Sequence, residues 1–171
     1  MLAVLQELRA RLGVFESHFQ REAFPCSRLP NGLPRGILAE ITGVGKTESV
    51  AQLLAENPAL RCAWIESRFS LLPSALLQRG VSLEKIFFIE AGENAAWAAA
   101  TVLRAQLFPL VVYRAPYGDL RELRRFQLLT GKGNSTMILL GDQPAENAWP
   151  IRLSLEAREK GRRLAPLRGA R

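Results

Sequence analysis

Between residues 37 and 141, short apolar runs alternate with stretches of helical character, and this alternation limits the fold more than any other feature. The runs are ILAEI (37–41), RCAWIES (61–67), KIFFIEA (85–91), PLVVYRA (109–115) and STMILLG (135–141). Most are continuously apolar, which suits strands buried on both faces. KTESVAQLLAEN (46–57) reads as a helix stopped before Pro58, and LPSALLQRG (72–80) as a short one ended by Gly80. The Ala-rich ENAAWAAATVLRAQL (93–107) and DLRELRRFQLLTGKG (119–133) complete the set. Such a sequence calls for an α/β fold: a mainly parallel sheet with helices on both faces. WPIRLSLEA (149–157) instead alternates Ile151, Leu153 and Leu155 with Arg152, Ser154 and Glu156. That period of two predicts a half-buried, antiparallel C-terminal edge strand.

Three parts follow. Residues 1–32 hold an N-terminal helix and a Pro-rich arm, residues 33–157 form the α/β core, and residues 158–171 form a basic, mobile tail. Leu2, Leu5, Leu8 and Leu12 share one stripe of the first helix, which either docks on another protein or packs back on the core. FPCSRLPNGLPRG (24–36), with Pro25, Pro30 and Pro34, suggests a linker or extended arm.

A chain of 171 residues suffices for one such domain with tails. Its formal net charge of +7 favours acidic partners or nucleic acid, without bearing on the fold. Cys26, Cys62 and His18 are too few and too scattered for a zinc site. The first residues lack the apolar region of a secretion signal, and no run reaches the roughly 18–20 apolar residues that span a bilayer. The expectation is a soluble, reduced, cytoplasmic protein with no membrane contact.

ITGVGKTES (41–49) carries the one chemical motif. It ends in Gly-Lys-Thr between a predicted strand and a predicted helix, as a phosphate-binding loop does. The spacing is wrong. The full motif places four residues between its glycines; Gly43 and Gly45 are separated only by Val44. A working loop arches so that successive backbone N–H groups point at the phosphates. A turn this short leaves no cradle. Gly43, Gly45, Lys46 and Thr47 therefore read as a vestigial site: first-turn residues after a tight turn, or a residual anion site at a helix N-terminus. No bound cofactor is expected.

Phosphoryl transfer also needs an acid at the end of another strand to hold magnesium. PLVVYRA offers Tyr113 and Arg114 there. Glu66, ending the second strand, is the other candidate and is expected to be a solvated strand-end carboxylate. No catalytic residues are assigned: the lone histidine lies near the N-terminus and no Gly-x-Ser-x-Gly occurs.

With these pieces in place the chain resembles the RecA recombinase superfamily over about residues 33–157. LPRGILAEITG and GKTESVAQLL (33–54) look like its first strand and phosphate loop, and CAWIES through LEKIFFIEA (62–91) like its next strand, helix and strand. Within the superfamily the chain is most similar to ImuA-like proteins, through ENAAWAAATVLRA, DLRELRRFQLLTGKGNSTMILL (119–140) and AWPIRLSLEA (148–157). SulA-type division inhibitors share the reduced core. The resemblance implies a degenerate branch: the magnesium-binding aspartate falls at Tyr113 or Arg114, and the catalytic glutamate at Arg68. The connectors 116–120 and 143–149 are too short for the family's DNA-holding loops. What carries over is protein binding. ImuA-like chains act in translesion mutagenesis, which implies RecA and mutagenic polymerase subunits as partners. SulA-like chains bind FtsZ. A weak ATPase is the third reading.

Two basic features bear on partners. Arg121, Arg124 and Arg125 form a stripe expected opposite Leu120, Leu123 and Phe126. Arg158, Lys160, Arg162 and Arg163 charge the tail, a candidate tether for DNA or protein that lacks aromatic residues for base stacking. Trp97, in the Ala-rich helix, is expected to pack on the sheet, with an interface anchor as the alternative.

Overall fold

The computed structural model describes residues 22–29, 31–116, 119–142, 153–157 and 164–168. The predicted N-terminal helix and the basic residues Arg158, Lys160, Arg162 and Arg163 lie outside the described residues. A short antiparallel hairpin, β1 (Ala23–Phe24) and β2 (Leu33–Pro34), comes first. Then β3 (Leu38–Thr42), α1 (Lys46–Glu56), β4 (Cys62–Glu66), α2 (Pro73–Leu77), β5 (Ile86–Glu90) and α3 (Ala95–Ala105) alternate. β6 (Leu110–Arg114), α4 (Leu120–Gly133), β7 (Thr136–Leu140), β8 (Leu153–Ala157) and β9 (Leu164–Arg168) complete the chain.

One seven-stranded sheet runs in the order β5-β4-β6-β7-β3-β8-β9. All neighbours are parallel except β8 and β9. The α/β fold with a mainly parallel sheet is therefore as the alternation predicts. The chain also ends in an antiparallel edge strand, but that strand is β9. β8, where the sequence suggests the antiparallel edge, lies inside the sheet and pairs parallel with β3. The alternation in 149–157 reports a strand; it carries no information about the direction of its neighbour. β9 falls in the stretch expected to be mobile, and its pairing with β8 gives the backbone there a fixed place.

Strand side chains alternate between two buried layers. On one side Ala39 and Ile41, Cys62 and Trp64, Leu110 and Val112, and Ile138 and Leu140 meet Val50, Leu53 and Leu54 of α1. On the other side Leu38, Ile65, Val111, Tyr113, Met137 and Leu139 meet α3 and α4. Ala95, Ala99 and Ala100 let the α3 backbone come close to the sheet, and Leu123 and Phe126 anchor α4. Asp119 caps α4, its Oδ1 accepting from the N–H groups of Arg121 and Glu122. Leu120, expected on the buried stripe, is instead 41% exposed.

The Pro-rich stretch is no free linker. Phe24, Cys26 and Leu33 are buried in the α1-side core. Ser27 donates to the Glu56 carboxylate from both its N–H and its hydroxyl, Asn57 Nδ2 donates to Pro25 O at 2.8 Å, and Arg28 Nη1 donates to Ser49 Oγ at 3.1 Å. The stretch forms a hairpin that is docked along α1.

Phe126 is fully buried, with its ring 5.7 Å from that of Tyr113. Phe126→Ala is expected to cost about 3–5 kcal/mol in urea or thermal unfolding. A loss below about 1 kcal/mol would mean that α4 does not rest on the sheet as described.

Candidate functional site: a two-glycine turn at the carboxyl end of the sheet

β3 ends at Thr42, and α1 begins at Lys46 after three intervening residues. Gly43 and Gly45 take φ of 83° and 90°, a region that costs side-chain-bearing residues about 1–2 kcal/mol each. These two left-handed glycines turn the strand directly into the helix. Gly45 is the N-cap and gives α1 no side-chain cap. Glu48 complements the dipole from the first turn and is ion-paired with Arg79.

Lys46 is held from the neighbouring strand. Its Nζ donates to Gly141 O at 2.8 Å and to Asp142 Oδ1. The cause is the β3–β7 register: Ile41 lies opposite Leu140, and Gly141 N–H donates to Ile41 O at 3.2 Å. The residues just past β7 are thereby set beside the loop. The Lys46 side chain is only 12% exposed, while that of Asp142 is 93% exposed. The buried carbonyl contact therefore anchors the ammonium, and the solvated carboxylate adds a screened attraction. The hydrogen bond and charge of Lys46, with a smaller contribution from Arg114, hold the Asp142 carboxyl below its usual value.

Gly43, Gly45, Lys46 and Thr47 come together, with Val44 and Asp142, around a depression of about 400 Å³. Asp142 is the member that the sequence does not disclose. Lys46 and Asp142 lie 96 positions apart, and only the strand order brings them together. A carboxylate in the depression opposes a bound phosphate. Two of the three Lys46 donor positions are already engaged.

The strand-end acids follow the same pattern. Tyr113 is buried, donates to Pro116 O at 3.1 Å and packs on Phe126. Burial, reinforced by the Glu122 charge, raises its phenol pKa. Arg114 ends β6 as a partly exposed cation. Glu66 departs from expectation. It is fully buried rather than solvated, and its carboxylate accepts from Trp64 Nε1 at 2.8 Å and from Ser70 N and Oγ at 2.7 and 2.9 Å. It pins the connector after β4 to the sheet. Arg68, in that connector, is exposed. Among the described residues no cluster of three His, Cys, Asp or Glu side chains suits a metal, and no helix is long and apolar enough to cross a membrane.

Arg121, Arg124 and Arg125 are exposed on α4 and border a separate groove, away from the loop. Trp97, expected in the core, is 64% exposed on α3, whose small residues Ala95, Ala99 and Ala100 take the buried side.

No family model matches the chain, and no curated protein matches it by sequence. Solved structures do match its fold. SulA from Pseudomonas aeruginosa superposes with a TM-score of 0.53 at 16% identity, covering 61% of this chain and 98% of that one. The RadB recombinase superposes with a TM-score of 0.58 at 17% identity, covering 78% of this chain and 80% of its own. At these identities the likeness concerns fold: this is a RecA-like, SulA-like α/β core.

Glu66→Ala strands the buried Trp64 Nε1 donor, while exposed Ser70 can turn to water, and is expected to cost about 1–3 kcal/mol, read by denaturant unfolding. Glu66→Gln, which keeps an acceptor for Trp64, is expected to cost less. A neutral Glu66→Ala would contradict the pinning role. By NMR titration Asp142 is expected to have a midpoint below that of a free aspartate, and Lys46→Met is expected to move it upward. Because the folded-state pKa is the lower one, the Asp142 contribution to stability is present above about pH 4 and lost as pH falls through the depressed value. An unchanged midpoint in Lys46→Met would break the assignment.

Proposed function

We propose that the chain is a RecA-like protein that does not hydrolyse nucleotide and acts by binding other proteins, as an accessory of the DNA-damage response. One observation carries the first half: the Lys46 ammonium is tied to Gly141 O and Asp142. Phosphoryl transfer is almost entirely positioning and charge stabilisation. It needs that lysine free for the phosphates, a loop of inward N–H groups and an acid for magnesium. Here the loop is Gly43-Val44-Gly45, and β6 ends in Arg114 where the acid belongs. Each departure alone weakens catalysis; together they remove its parts.

The partner assignment rests on the ImuA-like sequence features and names RecA and mutagenic polymerase subunits. A SulA-type division inhibitor binding FtsZ is the second reading. It is favoured by the coverage of 98% of SulA within this chain.

With ATP and magnesium, the pure protein is expected to show no turnover above background and no thermal shift, and Lys46→Ala to change neither. Turnover that disappears in Lys46→Ala would overturn the non-hydrolytic reading. Pull-downs with RecA, polymerase subunits and FtsZ separate the partners. Capture of FtsZ alone would replace the mutagenesis assignment with the inhibitor one.

A further inference from the structure

The outer face of α4 gathers basic and apolar side chains away from the Gly43–Thr47 turn. Arg121, Arg125, Leu128 and Lys132 fall at helical spacings of four, three and four, so they share one face, with Arg124 beside them. α3 contributes Arg104 from its last turn. These side chains surround a groove of about 380 Å³ floored by Leu128 and Leu129. Leu128 is 66% exposed. Among the described residues no carboxylate lines the groove. The acids of α4 are used elsewhere: Asp119 caps the helix, and Glu122 borders a different depression beside Ser67 and Tyr113.

We propose that this groove docks an acidic amphipathic segment of a partner protein, with carboxylates on the arginine rim and an apolar anchor on Leu128. The proposal gives a surface to the protein-binding reading above and rests on it. Charge alone fits a nucleic-acid backbone equally well; the floor decides. A sugar-phosphate chain gains nothing from leucine, and among the described residues no aromatic side chain lines the groove for base stacking. An acidic helix with leucines on one face matches both the rim and the floor. From Arg121 to Lys132 the groove runs about 16 Å along α4, room for two to three turns of such a helix.

The test uses the full chain and a fluorescein-labelled helical peptide rich in glutamate with leucines at i and i+4. The comparisons are the same peptide with serines for leucines and a single-stranded oligonucleotide of equal charge. At about 0.15 M salt the leucine peptide is expected to bind at least about tenfold tighter than the serine peptide, the amount that burying one leucine supplies. Leu128→Ser, an exposed change expected to keep the melting temperature, should erase that difference. The Arg121→Glu, Arg125→Glu double variant should weaken the leucine peptide by tenfold or more. Equal binding of the two peptides, or no effect of Leu128→Ser, overturns the proposal. Displacement of the peptide by the oligonucleotide at equal concentration overturns it in favour of nucleic acid. ATP turnover measured on the same samples keeps the two ideas apart. Peptide failure without turnover removes only the groove, and turnover with peptide binding removes only the non-hydrolytic reading.

Discussion

The parallel pairing of β3 with β7 decides what the rest of the carboxyl end can do. It extends one residue past β7, so that Gly141 N–H reaches Ile41 O and Gly141 O receives the Lys46 ammonium. A lysine at a helix N-terminus, displayed to water, would attract any phosphate. The same lysine, 12% exposed and satisfied by a neighbouring carbonyl, is part of the framework. The tight turn at Gly43–Gly45 and the held lysine support each other. Without an arch between Gly43 and Gly45, α1 starts close to the sheet, where its first side chain meets the next strand.

Strand and helix positions were legible in the sequence because burial on both faces writes itself as uninterrupted apolar runs. Direction and neighbour were not. The period-two pattern of 149–157 marked a strand but not its parallel partner β3, since pairing is set by the path of the chain between. Trp97 was misplaced for a related reason. In this helix Ala95, Ala99, Ala100 and Leu103 take the side toward the sheet, and Trp97 is turned outward. The loop residues were visible as a motif. Asp142 and the buried setting of Glu66 were not, because both depend on contacts across the fold.

Charge is divided unevenly over the described surface. The loop end mixes signs, with Lys46 and Arg114 near Asp142. The α3–α4 face is of one sign and gathers around exposed leucine. A mixed end neutralises itself and holds structure, whereas a single-sign face creates a field that reaches beyond the protein. One end of the described surface offsets its own charge, and the described lining of the α3–α4 groove does not.

The hairpin of β1 and β2 grips α1 at two places, near its start through Arg28 and Ser49 and at its end through Ser27, Glu56 and Asn57. It also fills the core with Phe24, Cys26 and Leu33. The smallest unit able to fold cooperatively therefore begins before the first strand of the large sheet. A chain trimmed to residue 33 would keep every strand of that sheet, yet would lose the clamp on the helix that carries Lys46.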